Sequence, residues 1–479
     1  MVKSSPSIKL FLSPFVDIFN DPQYNSSLLY RKGGQMATQR AHWTSRLTFI
    51  LATAGSAVGL GNVWKFPYIT GMNGGGTFVL IYLGSILCLG LPILLAELYV
   101  GKKSQSNLVT AFEVIHKPKS PWRIFGAIGV LSAFLIISFY SVVGGWILDF
   151  LRLSVVGLTQ ETDPENALGT LLGSPARQTL LHFLFCGITA AIVARGVNQG
   201  LERINKLLMP LLMVLLLLLL GHSFFLPGFE QALSFLFKPS SENLSASGIL
   251  EAVGHSFFTL SLGVGCILTY GSYLDEKTPL ARTALAVIFL DTLIALIAGI
   301  IIFSVVFSFE MEPAAGPPLV FHTLPTLFAK LSGGSIMSLT FFVLLTFAAI
   351  TSAVSILELI VAYVTERFSV ARTKATYSIA FAVFTVGLLT VGSFNILAEV
   401  KILGLTFFDL FDKLTSHYLL PLNGLIMAVF VGWVLGRKAI NEILSGLPST
   451  FQTAFLWVLR VISPALVLTM IWNKIKDLL

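Results

Sequence analysis

Long apolar stretches separated by short polar connectors occupy the chain from about residue 46 to residue 473. A hydrocarbon core about 30 Å thick asks for about 20 consecutive apolar residues in a helix, and that length is reached about eleven times. The stretches are 46–71, 77–100, 122–153, 177–194, 202–221, 248–271, 281–307, 335–366, 373–393, 404–434 and 451–473. They predict an all-α polytopic membrane protein. Residues 1–35 are polar and irregular, without the apolar core and cleavage site of a secretory signal. Met36 is a candidate native start; a disordered regulatory tail is the competing reading of the leader.

The first stretch is interrupted by Gly55-Ser56-Ala57-Val58-Gly59-Leu60-Gly61-Asn62. A helix broken at membrane depth leaves amide and carbonyl groups that lipid cannot satisfy, so a break persists only where protein buries it or a polar ligand uses it. Freed N–H groups suit an anion and freed carbonyls suit a cation. The glycines alone would read as a helix-packing interface. Asn62 and a second break change that reading. The sixth stretch carries Phe257-Phe258-Thr259-Leu260-Ser261-Leu262-Gly263-Val264-Gly265, five spans later. Paired glycine-interrupted segments at matching positions mark an inverted-repeat transporter with its site between the halves. The expected organisation is a leader over 1–39, a first repeat over 40–221 (spans one to five), a second over 222–434 (spans six to ten), and a last segment, 435–479, holding span eleven.

Composition narrows the class. The chain is 55% hydrophobic and 11% charged, with a mean hydropathy of +0.84, whereas a soluble domain carries about twice that charge. The net charge of +7 is scattered over short loops, so no nucleic-acid partner is expected. Cys88, Cys186 and Cys266 all fall in apolar stretches, so no structural disulfide is expected. No nucleophile–base constellation, phosphate-binding loop or metal-ligand spacing appears, which argues against an enzyme. Lys102, Lys103, Lys117, Lys119 and Arg123 follow span two, and Arg195, Arg203 and Lys206 follow span four. Lys277 and Arg282 follow span six, Arg367, Arg372 and Lys374 follow span eight, and Arg437 and Lys438 follow span ten. Positive loops stay inside. The N-terminus is therefore read as cytoplasmic in a cytoplasmic (inner) membrane, although Lys474 and Lys476 at the other end leave an even span count open.

The chain resembles the neurotransmitter:sodium symporter family, specifically its bacterial amino-acid members. The resemblance runs from about Arg40 to the C-terminus. It is carried by AGSAVGLGNVWKFP (Ala54–Pro67), Asn73–Gly76, GHSFFTLSLGVGCILTYGSY (Gly254–Tyr273) and FAAITS (Phe347–Ser352). It implies two Na⁺ sites. One would use Ala57, Asn62, Thr259 and Asp291; the other would use the carbonyls of Gly55, Val58 and Ala348 with the hydroxyls of Thr351 and Ser352. As an isolated pair, Thr351 and Ser352 would be expected to bond back to their own helix. Asp291 stands where the family usually has Asn, and an acid inside an apolar span is by default functional. Ala295, one turn on, offers no ligand where chloride-dependent members have a serine. Asp291 would then supply the negative charge that chloride provides elsewhere, and no chloride requirement is expected. Proton return through Asp291 or His255 is a weaker expectation.

The resemblance also implies a substrate site. Monoamine carriers have an aspartate at the position of Gly59, so glycine there points to an amino acid that brings its own carboxylate. Leu60, Gly61 and the Tyr140 hydroxyl would hold that carboxylate. The carbonyls of Ala57, Phe258 and Thr259, with the Ser261 hydroxyl, would hold the amine. Ile136, Tyr140, Phe258, Val264, Ser352, Ser355 and Ile356 would surround the side chain. Val264 replaces a family phenylalanine and would widen the pocket for an apolar side chain. Lys65 and Asp412 match an outer gate; Arg40 and Glu366, with Trp43, Ser272 and Tyr273, match an inner one. His255 stands where a gate glutamine is usual. Gly200 and Pro210 have the spacing used to unwind span five, and both are also simply tolerated in membrane helices. The function expected is sodium-coupled amino-acid import by alternating access, in a lipid bilayer and with no obligate protein partner. The alternative is a membrane amino-acid sensor that binds without transporting.

Overall fold

The computed structural model describes residues 41–157, 164–239, 245–311 and 319–476, and these are helical with short connections. The main helices are α1 (Arg46–Ala57), α2 (Gly61–Met72), α3 (Gly76–Ser104), α4 (Arg123–Val156), α5 (Pro175–Ala194), α6 (Val197–Ser223), α7 (Ala246–Thr259), α8 (Cys266–Gly271), α9 (Leu280–Ser308), α10 (Gly334–Phe368), α11 (Arg372–Gly392), α12 (Phe407–Ile443) and α13 (Ser449–Lys474). Among the described residues, nine are long and apolar enough to span a membrane. The pair α1 and α2 forms one further span, bent by 50°. Together with α7 and α8, these follow the spans read from the sequence.

Burial separates the inside of the bundle from its rim. The most apolar window of α4 is 83% buried and that of α10 is 72% buried, against 33% for α6 and 28% for α13. The leucine run of α6 therefore faces outward, with Val214, Leu217 and Leu218 exposed. In water such a face would be an association patch; in a bilayer it meets lipid. Helices α4, α5, α10 and α11 pack on one another as one group, and α1, α2, α3, α7, α8 and α9 as another, with α1 touching α10 and α6.

Local chemistry explains where the helices begin and stop. Ser45 and Thr48 form a capping box that opens α1. Ser245 caps α7 by accepting from the Gly248 amide. The first interruption is narrower than the glycine spacing predicts. Gly55 and Gly61 lie in helix, and only Val58 and Gly59 leave it, with Val58 extended. The second is wider. Leu260–Gly265 is irregular, and Ser261, Gly263 and Gly265 have φ of 52°, 76° and 97°. Of the two readings of Gly200 and Pro210, this conformation shows the tolerated one. Residues 197–223 form one continuous helix, π-wound at Val197–Glu202 and keeping Pro210 inside. Gly200 instead allows close packing on the Ile192 carbonyl. The last turns of α12 run past 434 as the helix Gly436–Ile443, and short helices at Leu108–Ile115, Phe229–Phe237 and Thr323–Lys330 occupy stretches read as connectors.

The wide break is held by side chains from two other helices. The Gly263 amide donates to Glu97 Oε1 at 2.7 Å, and Asn423 Nδ2 donates to the Gly263 carbonyl at 2.9 Å. A Cβ on Gly263 would collide with the Leu420 carbonyl at a φ that side chains rarely adopt. Gly263→Ala is therefore expected to cost about 1–3 kcal/mol. Gly84→Ala, on an open helical surface, should be neutral or gain up to about 1 kcal/mol. Thermal unfolding of the two detergent-purified variants checks the contrast.

Candidate functional site

In an unbroken helix the Gly59 amide would bond the Gly55 carbonyl. Here it donates to Asn62 Oδ1 at 3.1 Å. The Asn62 amide nitrogen bonds Gly59 O at 3.2 Å, so it does not reach the Val58 carbonyl. The carbonyls of Gly55, Ser56 and Val58 are thus left facing α10, where Ser352 Oγ lies 3.5, 3.4 and 3.2 Å from them. Ser261 Oγ supplies a donor to the Ser56 carbonyl, but the one proton of Ser352 cannot satisfy the carbonyls of both Gly55 and Val58. Thr351 keeps to its own helix, donating to Phe347 O and Ala348 O at 3.0 Å. The bland expectation for a Thr–Ser pair therefore holds for Thr351 and fails for Ser352. The five oxygens expected for one sodium site (Gly55 O, Val58 O, Ala348 O, Thr351 Oγ1, Ser352 Oγ) stand where these helices meet. Oxygens about 2.4 Å from a hard cation sit about 3.4 Å apart on an octahedron, close to the Ser352–carbonyl separations.

On the other side of the break, Asn62, Thr259 and Asp291 come together, all fully buried. Asn62 Nδ2 donates to Asp291 Oδ1 at 2.8 Å and to the Asp291 carbonyl at 3.0 Å. Thr259 Oγ1 donates to Asp291 Oδ2 at 3.1 Å. No basic side chain among the described residues pairs with Asp291. An ionised carboxylate removed from water costs several kcal/mol unless a cation accompanies it. Neutral donors on Asp291, together with acceptor-only carbonyls of the break, make this side a second place that favours a cation. Ala57, the last residue of α1, is buried beside the break.

A cavity of about 330 Å³ opens toward this region and is lined by Leu60, Lys65, Tyr140, Phe258, Phe408 and Asp412, among others. Tyr140 Oη lies near Ser352 and Leu60 but makes no hydrogen bond of good geometry, which leaves a buried polar atom free for a ligand. Gly59 and Gly61 allow the backbone to close on its neighbours. A Cβ on Gly59 would stand 2.5 Å from Ser352 Oγ, and one on Gly61 would stand 3.1 Å from the Phe258 ring. Ile136, Val264, Ser355 and Ile356 are buried but do not line the cavity. Ser355 bonds Ser56 Oγ at 2.8 Å and Ser352 O at 2.7 Å, and Ser261 Oγ donates to Ser56 O at 2.9 Å. Both hydroxyls brace the break in this conformation and are already engaged.

The expected gates are placed unevenly. Lys65 and Asp412 share the cavity wall but form no ion pair. Lys65 Nζ lies 4.1 Å from the centroid of the Phe258 ring, and Asp412 accepts from Ser416 at 2.9 Å. Tyr140 and Phe258 both line the opening. At the opposite end Trp43 is sealed in, bonding Tyr270 O at 3.0 Å and packing on Tyr270 and Tyr273. Arg40 lies outside the described residues. Glu366 accepts from Asn107 N at 3.0 Å and Asn107 Nδ2 at 2.9 Å. His255 stacks with Phe66 and Tyr82 instead of joining Lys65 and Asp412.

Sequence reasoning missed Glu97, Glu358 and Arg372. Glu358 is fully buried in α10, bonded by Arg372 and by Tyr273 Oη at 2.8 Å, while Arg372 also grips the Val193 carbonyl at 2.9 Å. The rule that singled out Asp291, an acid inside an apolar span, applies equally to Glu97 and Glu358.

A broken-helix bundle with oxygen-lined breaks under a one-sided cavity defines a secondary transporter. Residues 40–162 and 172–478 match the sodium:neurotransmitter symporter family. The chain is 36% identical over 440 residues to the sodium-dependent transporter YhdH of Bacillus subtilis (strain 168), covering 90% of this chain and 97% of that protein. It is 26% identical over 465 residues to the human sodium- and chloride-dependent GABA transporter 2, covering 84% and 74%. Among solved structures, MhsT in complex with L-phenylalanine matches with a TM-score of 0.84 at 42% identity, covering 90% of this chain and 99% of that one. The chain belongs to the sodium:neurotransmitter symporter family, whose members are sodium-dependent membrane transporters.

Ser352→Ala removes the hydroxyl that faces three carbonyls. The sodium concentration for half-maximal thermal stabilisation is expected to rise about tenfold, equivalent to about 1.4 kcal/mol. Gly84→Ala should leave it unchanged.

Proposed function

We propose that this protein imports an amino acid with an apolar side chain, coupled to two sodium ions and without a chloride requirement. The observation that carries the proposal is the first break. Its carbonyls converge on Ser352, while Asn62 and Thr259 gather around the unpaired Asp291. One Na⁺ is carried by Gly55, Val58, Ala348, Thr351 and Ser352. The other is carried by Ala57, Asn62, Thr259 and Asp291, next to the substrate carboxylate at Leu60, Gly61 and Tyr140. Ion and substrate anion then attract each other in a low-dielectric site, which couples their binding. The amine is held by the carbonyls of Ala57, Phe258 and Thr259 once Ser261 is released from Ser56. Ile136, Val264, Ser355 and Ile356 complete the pocket as it closes. The bound L-phenylalanine in the solved relative supports an apolar substrate.

The protein works in the cytoplasmic membrane with its N-terminus inside. The halves 40–221 and 222–434 move against each other around the fixed breaks. The cavity at Lys65 and Asp412 faces outward, and closure brings those two charges together over Phe258 and Tyr140. The opposite end opens when Arg40 and Glu366 part and Trp43 leaves Tyr270. Each positive charge moved inward gains about 2.3 kcal/mol per 100 mV of membrane potential.

Uptake of radiolabelled L-phenylalanine and L-leucine into proteoliposomes tests this. Accumulation is expected with an inward sodium gradient, none with potassium, and no loss when gluconate replaces chloride. Sodium-dependent binding without accumulation would identify a sensor instead. Loss of uptake in gluconate would remove the role given to Asp291.

A further inference from the structure

A second large cavity, about 880 Å³, lies at the end of the bundle where α1 begins, away from the broken helices' site. It sits among the C-terminal end of α3, the connector and first turn leading into α9, and the segment joining α12 to α13. Four cations line it (Lys102, Lys103, Lys277 and Arg282), with two carboxylates, Glu276 and Glu442. Glu442 is already held by Lys103 at 2.7 Å and by Tyr99 Oη at 3.2 Å. Lys102 Nζ is anchored to the Thr278 carbonyl at 2.8 Å, which spends one of its three hydrogens. That leaves Lys102, Lys277 and Arg282 facing Glu276 in the lining and Asp275 just outside it, whose carboxylate already accepts from the Lys277 amide at 3.1 Å. Helix α9 opens on the same cavity with no side-chain cap and no acidic residue in its first turn, so its free amides add to the positive field.

The walls decide which kind of anion fits. Leu285 and Leu447 line the cavity and are exposed, Leu285 one turn into a membrane-spanning helix. The pocket therefore has a cationic floor at the depth where spans end and an apolar side that continues down the helix face. A phosphate group alone uses the first feature only. A phosphodiester carrying acyl chains uses both. The bland alternative is that these long side chains merely snorkel to water. Against it, Lys102 is fixed to a backbone carbonyl, and the cations of two separate chain segments, the end of α3 and the connector into α9, converge on one concavity.

We infer that this cavity binds the headgroup of an anionic phospholipid, with its phosphate near Lys102, Lys277 and Arg282 and its acyl chains along Leu285. A lipid there would join α3, the start of α9 and the α12–α13 connector on the face of the protein whose loops are basic, against anionic lipid headgroups. Lys277 and Arg282 are exposed side chains, so replacing them leaves the packing intact.

Native mass spectrometry of the detergent-purified full chain, titrated with dioleoyl-phosphatidylglycerol, dioleoyl-phosphatidylcholine or inorganic phosphate, tests the site. Phosphatidylglycerol should be retained and phosphatidylcholine lost. The double variant Lys277→Gln/Arg282→Gln should weaken phosphatidylglycerol binding at least tenfold. Lys117→Gln/Lys119→Gln removes the same charge from exposed positions outside the cavity and should leave binding unchanged. Equal weakening by both double variants would show diffuse surface attraction and overturn the site. So would equal retention of both lipids, or no effect of Lys277→Gln/Arg282→Gln. Displacement of the lipid by millimolar inorganic phosphate would overturn the lipid assignment in favour of a free-anion site.

Discussion

Backbone amides and carbonyls at membrane depth must find partners, and everything functional in this protein follows from two places where the helix ladder does not supply them. At the first, Gly59 turns its amide to Asn62 and releases the carbonyls of α1 toward Ser352. At the second, Glu97 and Asn423 take up the two sides of Gly263. The two solutions differ in kind. Gly263 is satisfied by protein and is a fixed joint. At the α1 break the carbonyl acceptors outnumber the donors that face them, which is the condition for holding a cation that has shed its water.

Charge sharpens this division. Glu358 is buried against Arg372, so its charge is balanced within the protein. Asp291 is buried among neutral donors. A carboxylate kept in such a place calls for a mobile partner, and the nearest groups that would share one are the oxygens of the broken helix. The close approach at Gly59 adds to the effect: it brings α1 within one hydroxyl of α10, so ion binding on one helix pulls directly on the other.

Much of the fold was legible because lipid imposes length and apolarity on every span. The eleven stretches, the two glycine interruptions and the meeting of Asn62, Thr259 and Asp291 all rest on that logic and on the family resemblance. The extent of each break was not legible. Glycine permits an irregular turn without demanding one, so Gly55 and Gly61 stayed helical, while Leu260, Ser261 and Leu262 left the helix under the pull of distant partners. The same ambiguity let Gly200 and Pro210 sit in an intact helix. Gate pairing was not legible either, because whether Lys65 meets Asp412 or the Phe258 ring depends on how far the cavity is open. Glu97 and Glu358 were available to the rule that found Asp291, but no neighbouring break drew attention to them.

Hydrogen–deuterium exchange of the purified protein in sodium against potassium reads the two breaks directly, since exchange reports opening of individual backbone segments. If the α1 carbonyls replace the hydration of Na⁺, sodium alone should slow exchange in residues 55–62 and 257–265, with little change in the continuous helix α4. Identical exchange in the two salts, with both segments equally protected, would show that protein alone satisfies the breaks and would contradict the account.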